Sequence, residues 1–281
     1  MRTVLIPTDF SANAVHAINY ALKLFDSEKI SFYFLHAYAD EVYGPSINQK
    51  GYSIEQLKEK VKTSSDNLLQ ELIHTLKENT SNPKHSFNTL SVFDSLVDAV
   101  NDLVNEKNVD LVIMGTQGKT KDKNITFGSH TVQVFKYVKC PVLAVPESFQ
   151  FKKPKKIVFP TDYLLPYKKR ELKLLDSLAS MFTSEVHLLY ISDFEDLCQR
   201  QIDNQGFIKE LLPHAELFFE RTPVKNKAEA IMEYIIMKNI DFLVMVNSRH
   251  SFLEDMLYRS TVDQIGLKIK VPFLVLQNLH R

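Results

Sequence analysis

Two short segments of this 281-residue chain carry residue types at spacings suited to anion chemistry. One is Pro7-Thr8-Asp9, which closes an apolar run. The other is Gly115-Thr116-Gln117-Gly118-Lys119-Thr120, followed by a polar stretch and then Gly128-Ser129-His130. Glycine lets main-chain amides approach an anion with no Cβ in the way, and a helix N-terminus adds oriented N–H donors with partial positive charge. Ser129 adds a hydroxyl donor, and Lys119, Lys121 and Lys123 place cations nearby. The combination predicts a phosphate cradle. Only 7 residues are Gly, against a usual share of about 7%, yet three of them fall within positions 115–128. The backbone there has needs the rest of the chain does not share. GKT at 118–120 is not a Walker A motif, which requires its first glycine where Ile113 stands, and GxGxxG is absent. The bland alternative is a turn and a helix cap in a loop that binds nothing.

Other chemistries lack their residues. Nine histidines form no i,i+3 or i,i+4 pair, and neither HExxH nor a Cys/His cluster occurs, so no metal centre is expected. His36 and His187 fall in strand patterns and read as core or edge side chains. Cys140 and Cys198 form no CxxC pair, which excludes a zinc ribbon and a disulfide scaffold. GxSxG is missing, so Ser129 reads as a phosphate-binding hydroxyl before a nucleophile. Lys+Arg and Asp+Glu number 34 each; residues 1–150 hold 15 basic against 17 acidic side chains, and the remainder 19 against 17. Without a basic excess in either half, neither nucleic acid nor an anionic membrane is expected as a partner. The opening MRTVLIPTDF has its apolar run cut by Pro7 and Asp9, so neither a signal peptide nor a transmembrane span is expected, and a cytoplasmic chain is.

The elements that must position these residues follow from apolar patterning. Short runs rich in β-branched and aromatic residues predict strands at Thr3–Pro7, Ile30–Ala37, His85–Leu90, Val109–Gly115 and Pro141–Val145. Between them lie helical patterns. Ser11 caps one with Ala14, Ile18, Ala21, Leu22 and Phe25 on a face. Ser53 caps a longer one striped by Ile54, Leu57, Val61, Leu68, Leu72 and Leu76. Leu96, Val97, Val100, Leu103 and Val104 form a third, and Val132, Val134 and Phe135 a fourth. Five strands alternating with helices predict a parallel sheet covered on both faces by right-handed crossovers. Ligands then sit beyond the carboxyl ends of strands, where the winding reverses.

The chain also repeats itself, a pattern that decides architecture. VLIPTD (4–9) recurs as IVFPTD (157–162); DLVIM (110–114) recurs as DFLVM (241–245), and CPVLAV (140–145) as the stretch ending VPFLVL at 276. Two copies of one domain are expected, at 1–146 and 156–281, with a polar linker at 147–155 and the second copy shorter in its middle. Its strands are expected at Lys156–Pro160, Glu185–Ile191, Ala215–Glu220, Asp241–Val246 and Val271–Leu276. The second copy is an internal control: Gly115, Gly118 and Gly128 become Val246, Arg249 and Arg259, while Ser129 is kept as Ser260 and Asp9 as Asp162. Side chains there would fill the approach to the backbone, so the second copy is not expected to hold phosphates. Because Asp162 survives without the cradle, Asp9 has two readings, a ligand contact or a strand-end residue that bonds turn amides.

The spacing G-x2-G-x9-G-S between a strand and a helix resembles the ATP-binding signature of the universal stress protein family. VLIPTDFS, VDLVIMGTQGKT and FGSHTVQVFKYVKCPVLAVP are similar to that family along nearly the whole first copy, and the second copy more weakly. The resemblance implies a Rossmann-like α/β fold in tandem, acting as an internal pseudo-dimer, with further homo-oligomers left open. It implies ATP or another adenine nucleotide as cofactor, with or without Mg2+. Asp9 and the backbone around Thr8 would meet adenine and ribose, and Ala37 would line the adenine pocket. Gly115, Gly118, Gly128, Ser129 and the His130 backbone would hold ribose and phosphates. The expected function is a nucleotide-dependent regulatory or stress-tolerance protein with an unidentified protein partner, whose 116–127 loop orders on binding ATP. The alternatives are a slow ATPase or self-phosphorylating enzyme using Ser129, and a scaffold that binds no nucleotide.

Overall fold

The computed structural model describes residues 1–44, 52–118, 127–223, 226–247 and 269–278. These divide into two compact units, one ending at Glu147 and the other beginning at Ser148. In the first, β1 (Arg2–Pro7), β2 (Ile30–Ala37), β3 (His85–Val92), β4 (Leu111–Gly115) and β5 (Val142–Val145) form an all-parallel sheet in the order β3-β2-β1-β4-β5. Near-continuous apolar runs suit strands covered on both faces, and every residue of β4 and β5 is buried.

The helices of this unit are α1 (Ala12–Leu24), α2 (Ala39–Tyr43), α3 (Ile54–Asn79), α4 (Leu96–Lys107) and α5 (Ser129–Tyr137). Ser11, Ser53 and Ser95 each accept a first-turn N–H at the starts of α1, α3 and α4, which fixes where those helices begin. From β1 through β3 the chain steps in one direction across the sheet, then returns past β1 to β4 and β5. Right-handed crossovers place α1 and α3 on one face and α4 and α5 on the other.

Two elements depart from the sequence reading. The short helix α2 lies where no helix is expected, because five residues carry no readable period. On α3 the buried stripe runs through Leu57, Ser65, Leu69 and Leu76, whereas Ile54 and Leu68 are exposed. A polar Ser65 occupies a core position of that stripe, which apolar patterning alone passes over.

The second unit contains β6 (Lys156–Thr161), α6 (Lys169–Phe182), β7 (Glu185–Ile191), α7 (Gln199–Leu211), β8 (Glu216–Thr222), α8 (Lys227–Lys238), β9 (Phe242–Asn247) and β10 (Phe273–Gln277). Its order, β10-β9-β6-β7-β8, is the first unit's order again, also parallel throughout. Registers repeat as well: Val4 faces Leu111 in the first unit as Ile157 faces Phe242 in the second. Between Val145 and Lys156 the backbone is neither helix nor strand.

Candidate functional site

The strand order of the first unit reverses between β1 and β4, which leaves a crevice beyond their carboxyl ends. A cavity of about 250 Å3 lies there. Thr8 and Asp9 reach it from the end of β1, Ala37 from β2, and Gly115 and Gly118 from the end of β4. Gly128, Ser129 and His130 reach it from the start of α5. All eight residues singled out from the sequence thus meet around one cavity. Lys119, Lys121 and Lys123 lie outside the described residues.

The β1 end is a tightly bonded turn. The Thr8 N–H extends the β1–β2 ladder to the Leu35 carbonyl at 2.8 Å. Thr8 Oγ1 accepts the Phe10 N–H at 3.0 Å, and Asp9 Oδ1 accepts the Ser11 N–H at 3.0 Å. These bonds hold Phe10 at φ 62°, a left-handed conformation that costs a bulky residue about 1–2 kcal/mol. The second unit repeats the arrangement: Thr161 Oγ1 accepts from Tyr163 at 3.0 Å, Asp162 Oδ1 accepts from Leu164 at 2.9 Å, and Tyr163 sits at φ 57°. One carboxylate oxygen therefore serves the turn in both copies. In the first unit the other oxygen of Asp9 faces Gly118, where an added Cβ would stand 2.9 Å from Oδ2.

The glycines differ in what they are for. A Cβ on Gly115 would lie 2.8 Å from Cγ of Asn13, a buried side chain whose Nδ2 donates to the Gln117 carbonyl at 2.7 Å. Gly115 therefore lets α1 close against the end of β4. At Gly118 the obstacle is Asp9 itself. At Gly128 the nearest atom to an added Cβ is Gln117 Cα at 3.6 Å, an ordinary contact, so packing alone does not demand glycine there. Gly128 is the N-cap of α5 and supplies no side-chain cap. The first-turn amides of α5 thus end at the cavity with no cap from the N-cap side chain, the group that usually satisfies one of them.

Thr131 fastens this helix to the strand. Its buried Oγ1 donates within 3.2 Å of the Gly115 carbonyl and 3.0 Å of the Thr116 carbonyl, while the Gly128 N–H donates to the Thr116 carbonyl at 2.9 Å. Asn13 and Thr131 escape the sequence reading. The signal for Asn13 was a polar residue on the helical stripe shared with Ala17, Tyr20 and Leu24, all buried.

A side chain read from the sequence as core or edge also lines the cavity. This is His36, near the end of β2 and buried. Its Nδ1 is 2.8 Å from Ser65 Oγ on α3, which is 2.7 Å from Ser91 Oγ on β3. Its Nε2 is 3.4 Å from Glu41 Oε1 on α2. Asp40 of the same short helix pairs with His130, Oδ2 to Nε2, at 3.1 Å. A carboxylate of α2 therefore stands beside the first turn of α5. Among the described residues no group of three or more His, Cys, Asp or Glu is arranged to hold a metal ion.

In the second unit, described side chains gather at the end of β6. The registers set Tyr190 where His36 stands. Buried Tyr167 lies with its hydroxyl 3.3 Å from Thr161 Oγ1, and burial pushes that phenol well above its ordinary range. On α7, Gln201 donates to the Asp162 carbonyl at 2.8 Å and Asn204 to the Tyr163 carbonyl at 2.7 Å. Val246 takes the place of Gly115 in the same register. Arg249, Arg259 and Ser260 lie outside the described residues.

A 3-2-1-4-5 parallel sheet, present twice in one chain and bearing a reversal-point cavity in the first copy, defines a tandem α/β protein. The family model described as "Universal stress protein family" matches residues 1–146. A curated universal stress protein of Methanocaldococcus jannaschii is 31% identical over 159 residues, covering 55% of this chain and 84% of that protein. Among solved structures, a universal stress protein from Archaeoglobus fulgidus covers 98% of this chain and 96% of its own, with a TM-score of 0.68 at 17% identity. A putative universal stress protein from Pseudomonas aeruginosa covers 99% and 93%, with a TM-score of 0.57 at 14% identity. This chain belongs to the universal stress protein family.

Proposed function

We propose that the first unit binds an adenine nucleotide, ATP foremost, at one site per chain, and that the occupied protein acts in stress tolerance by regulating a protein partner. The observation that carries this reading is the uncapped start of α5 opposite Gly118, both opening on the reversal-point cavity. Phosphate oxygens would accept from the main-chain amides of Ser129 and His130 and from Ser129 Oγ, which supply partial positive charge without a bulky side chain. Ribose would rest against Asp9 and the Thr8 backbone, and the base against Ala37. The Asx turn keeps Asp9 oriented for that contact, since Oδ1 is committed to Ser11. In this reading the second unit holds no nucleotide, its equivalent of the β1 end carrying Tyr167, Gln201 and Asn204.

Titration calorimetry on nucleotide-free full-length protein tests this directly, with native mass spectrometry for stoichiometry. One ATP per chain is expected. Absence of ATP uptake, or uptake undiminished by Gly118→Val, overturns the reading.

A further inference from the structure

We infer that Asn13 is a positioning residue for the phosphate end of the site: it turns the peptide between Gln117 and Gly118 so that the Gly118 N–H is presented to the nucleotide's phosphates. This rests on the nucleotide reading above. Asn13 sits in the first turn of α1 and is buried. Its Nδ2 donates to the Gln117 carbonyl at 2.7 Å, across 104 positions of chain. Among the described residues no peptide bond is cis, and in a trans peptide the C=O and the N–H point in opposite directions. Drawing the Gln117 oxygen towards α1 therefore sends the Gly118 N–H away from α1. Helices α1 and α5 cover opposite faces of the sheet, so that N–H leans to the side on which α5 starts. Gly118 and the first residues of α5 line the same cavity. A carbonyl oxygen turned into it would repel phosphate, whereas an N–H attracts it. The Asn13 bond selects the second orientation.

The preceding carbonyl is taken from the other side. Thr116 O accepts from Thr131 Oγ1 at 3.0 Å and from the Gly128 N–H at 2.9 Å. Successive carbonyls of the loop are thus pulled apart, one by α5 and one by α1, which fixes the plane of the peptide between Gln117 and Gly118. Two observations set this apart from plain packing. Asn13 Oδ1 has no hydrogen-bond partner among the described residues. A buried oxygen left unsatisfied costs stability, and leucine, with the same branched shape, would avoid that cost; what leucine lacks is the donor. The second copy, moreover, loses the carboxamide together with the space made for it. Gly115 has no Cβ where one would stand 2.8 Å from Asn13 Cγ. In the repeat that sets Asp9 on Asp162, Asn13 falls on Pro166, which has no side-chain donor, and Gly115 falls on Val246.

The experiment compares ATP with adenosine, which lacks the phosphates, on the full chain. Asn13→Leu is expected to weaken ATP binding about tenfold, as one hydrogen bond to a charged group is worth, and to leave adenosine within about twofold. The Tm should show the fold retained. Asn13→Ala, which removes the donor without filling its place, should give the same split, whereas a merely structural role would weaken both ligands alike. A second readout needs no variant at position 13. With heavy nitrogen in glycine alone, the amide spectrum holds one signal for each of only 7 glycines, and that of Gly118 is identified by its loss in Gly118→Ala. ATP should move this signal in wild type and adenosine should not. A Gly118 signal unmoved in wild type saturated with ATP overturns the inference and leaves nucleotide binding standing. Equal weakening of the two ligands, or ATP binding unaltered in both variants, does the same. Failure of wild type to bind ATP overturns the nucleotide reading itself.

Discussion

Gly118 and Gly115 look alike in the sequence and do different work. At Gly118 the added Cβ meets Oδ2 of a carboxylate whose Oδ1 a turn holds in place. Gly118→Val is expected to weaken ATP binding at least about tenfold and to move the Tm by less than about 3 °C, measured by calorimetry and thermal melts. At Gly115 the Cβ would meet buried Asn13, so Gly115→Ala should cost about 1–3 kcal/mol of stability. Asn13→Ala should recover part of that cost, and a double-mutant cycle by urea unfolding would show the coupling. The cradle glycines were legible because glycine is scarce elsewhere in the chain. Asn13, Ser65 and Thr131 were not, since each is polar and its burial is decided by partners 15 to 104 positions away. Apolar periodicity carries no information about such pairings.

Helix ends carry the next set of consequences. Thr183 closes α6 in the left-handed region at φ 52°, where a β-branched residue is strained and glycine is not. Thr183→Gly should stabilise the chain by about 1 kcal/mol, read from the denaturation midpoint. Asn108 and Asn239 hold the same kind of position after α4 and α8, and as residues that tolerate it they should gain less. Thr131→Val should cost about 1–3 kcal/mol, because the Gly115 carbonyl loses a buried donor and the Thr116 carbonyl loses one of two, keeping the Gly128 N–H. Strand positions were largely readable from the sequence: β2 and β7 span the expected residues, and β1 differs by one. Strand order was not, because the period within a run says nothing about its neighbour. The repeat did foretell that whatever order one copy takes, the other takes too.

At the scale of the whole molecule the duplicated fold places the two cysteines in contrasting settings. Cys140 is buried, and burial pushes its thiol up to about 12, while Cys198 is exposed. A thiol reagent on native protein at pH 8 should modify one cysteine per chain, and both after unfolding. Burial also raises Tyr163 to about 12. Both groups hold their protons longer in the folded state than in the unfolded chain, whose values lie near 9 and 10. The unfolded state therefore binds fewer protons between roughly pH 9 and 12, and stability falls as pH rises through that window. Urea midpoints at pH 8, 9 and 10.5 should decline in that order. No helix among the described residues is long and apolar enough to cross a membrane.

The near contact between position 118 and Oδ2 of Asp9 also constrains descent. A lineage that placed a side chain at 118 would first have to shorten or retract residue 9, and one that lost the aspartate would release the glycine to drift. Across the first copies of relatives the two positions, 109 apart in the chain, should therefore change together; the second copy, which keeps Asp162 with Arg249 in the other place, has left that coupling behind.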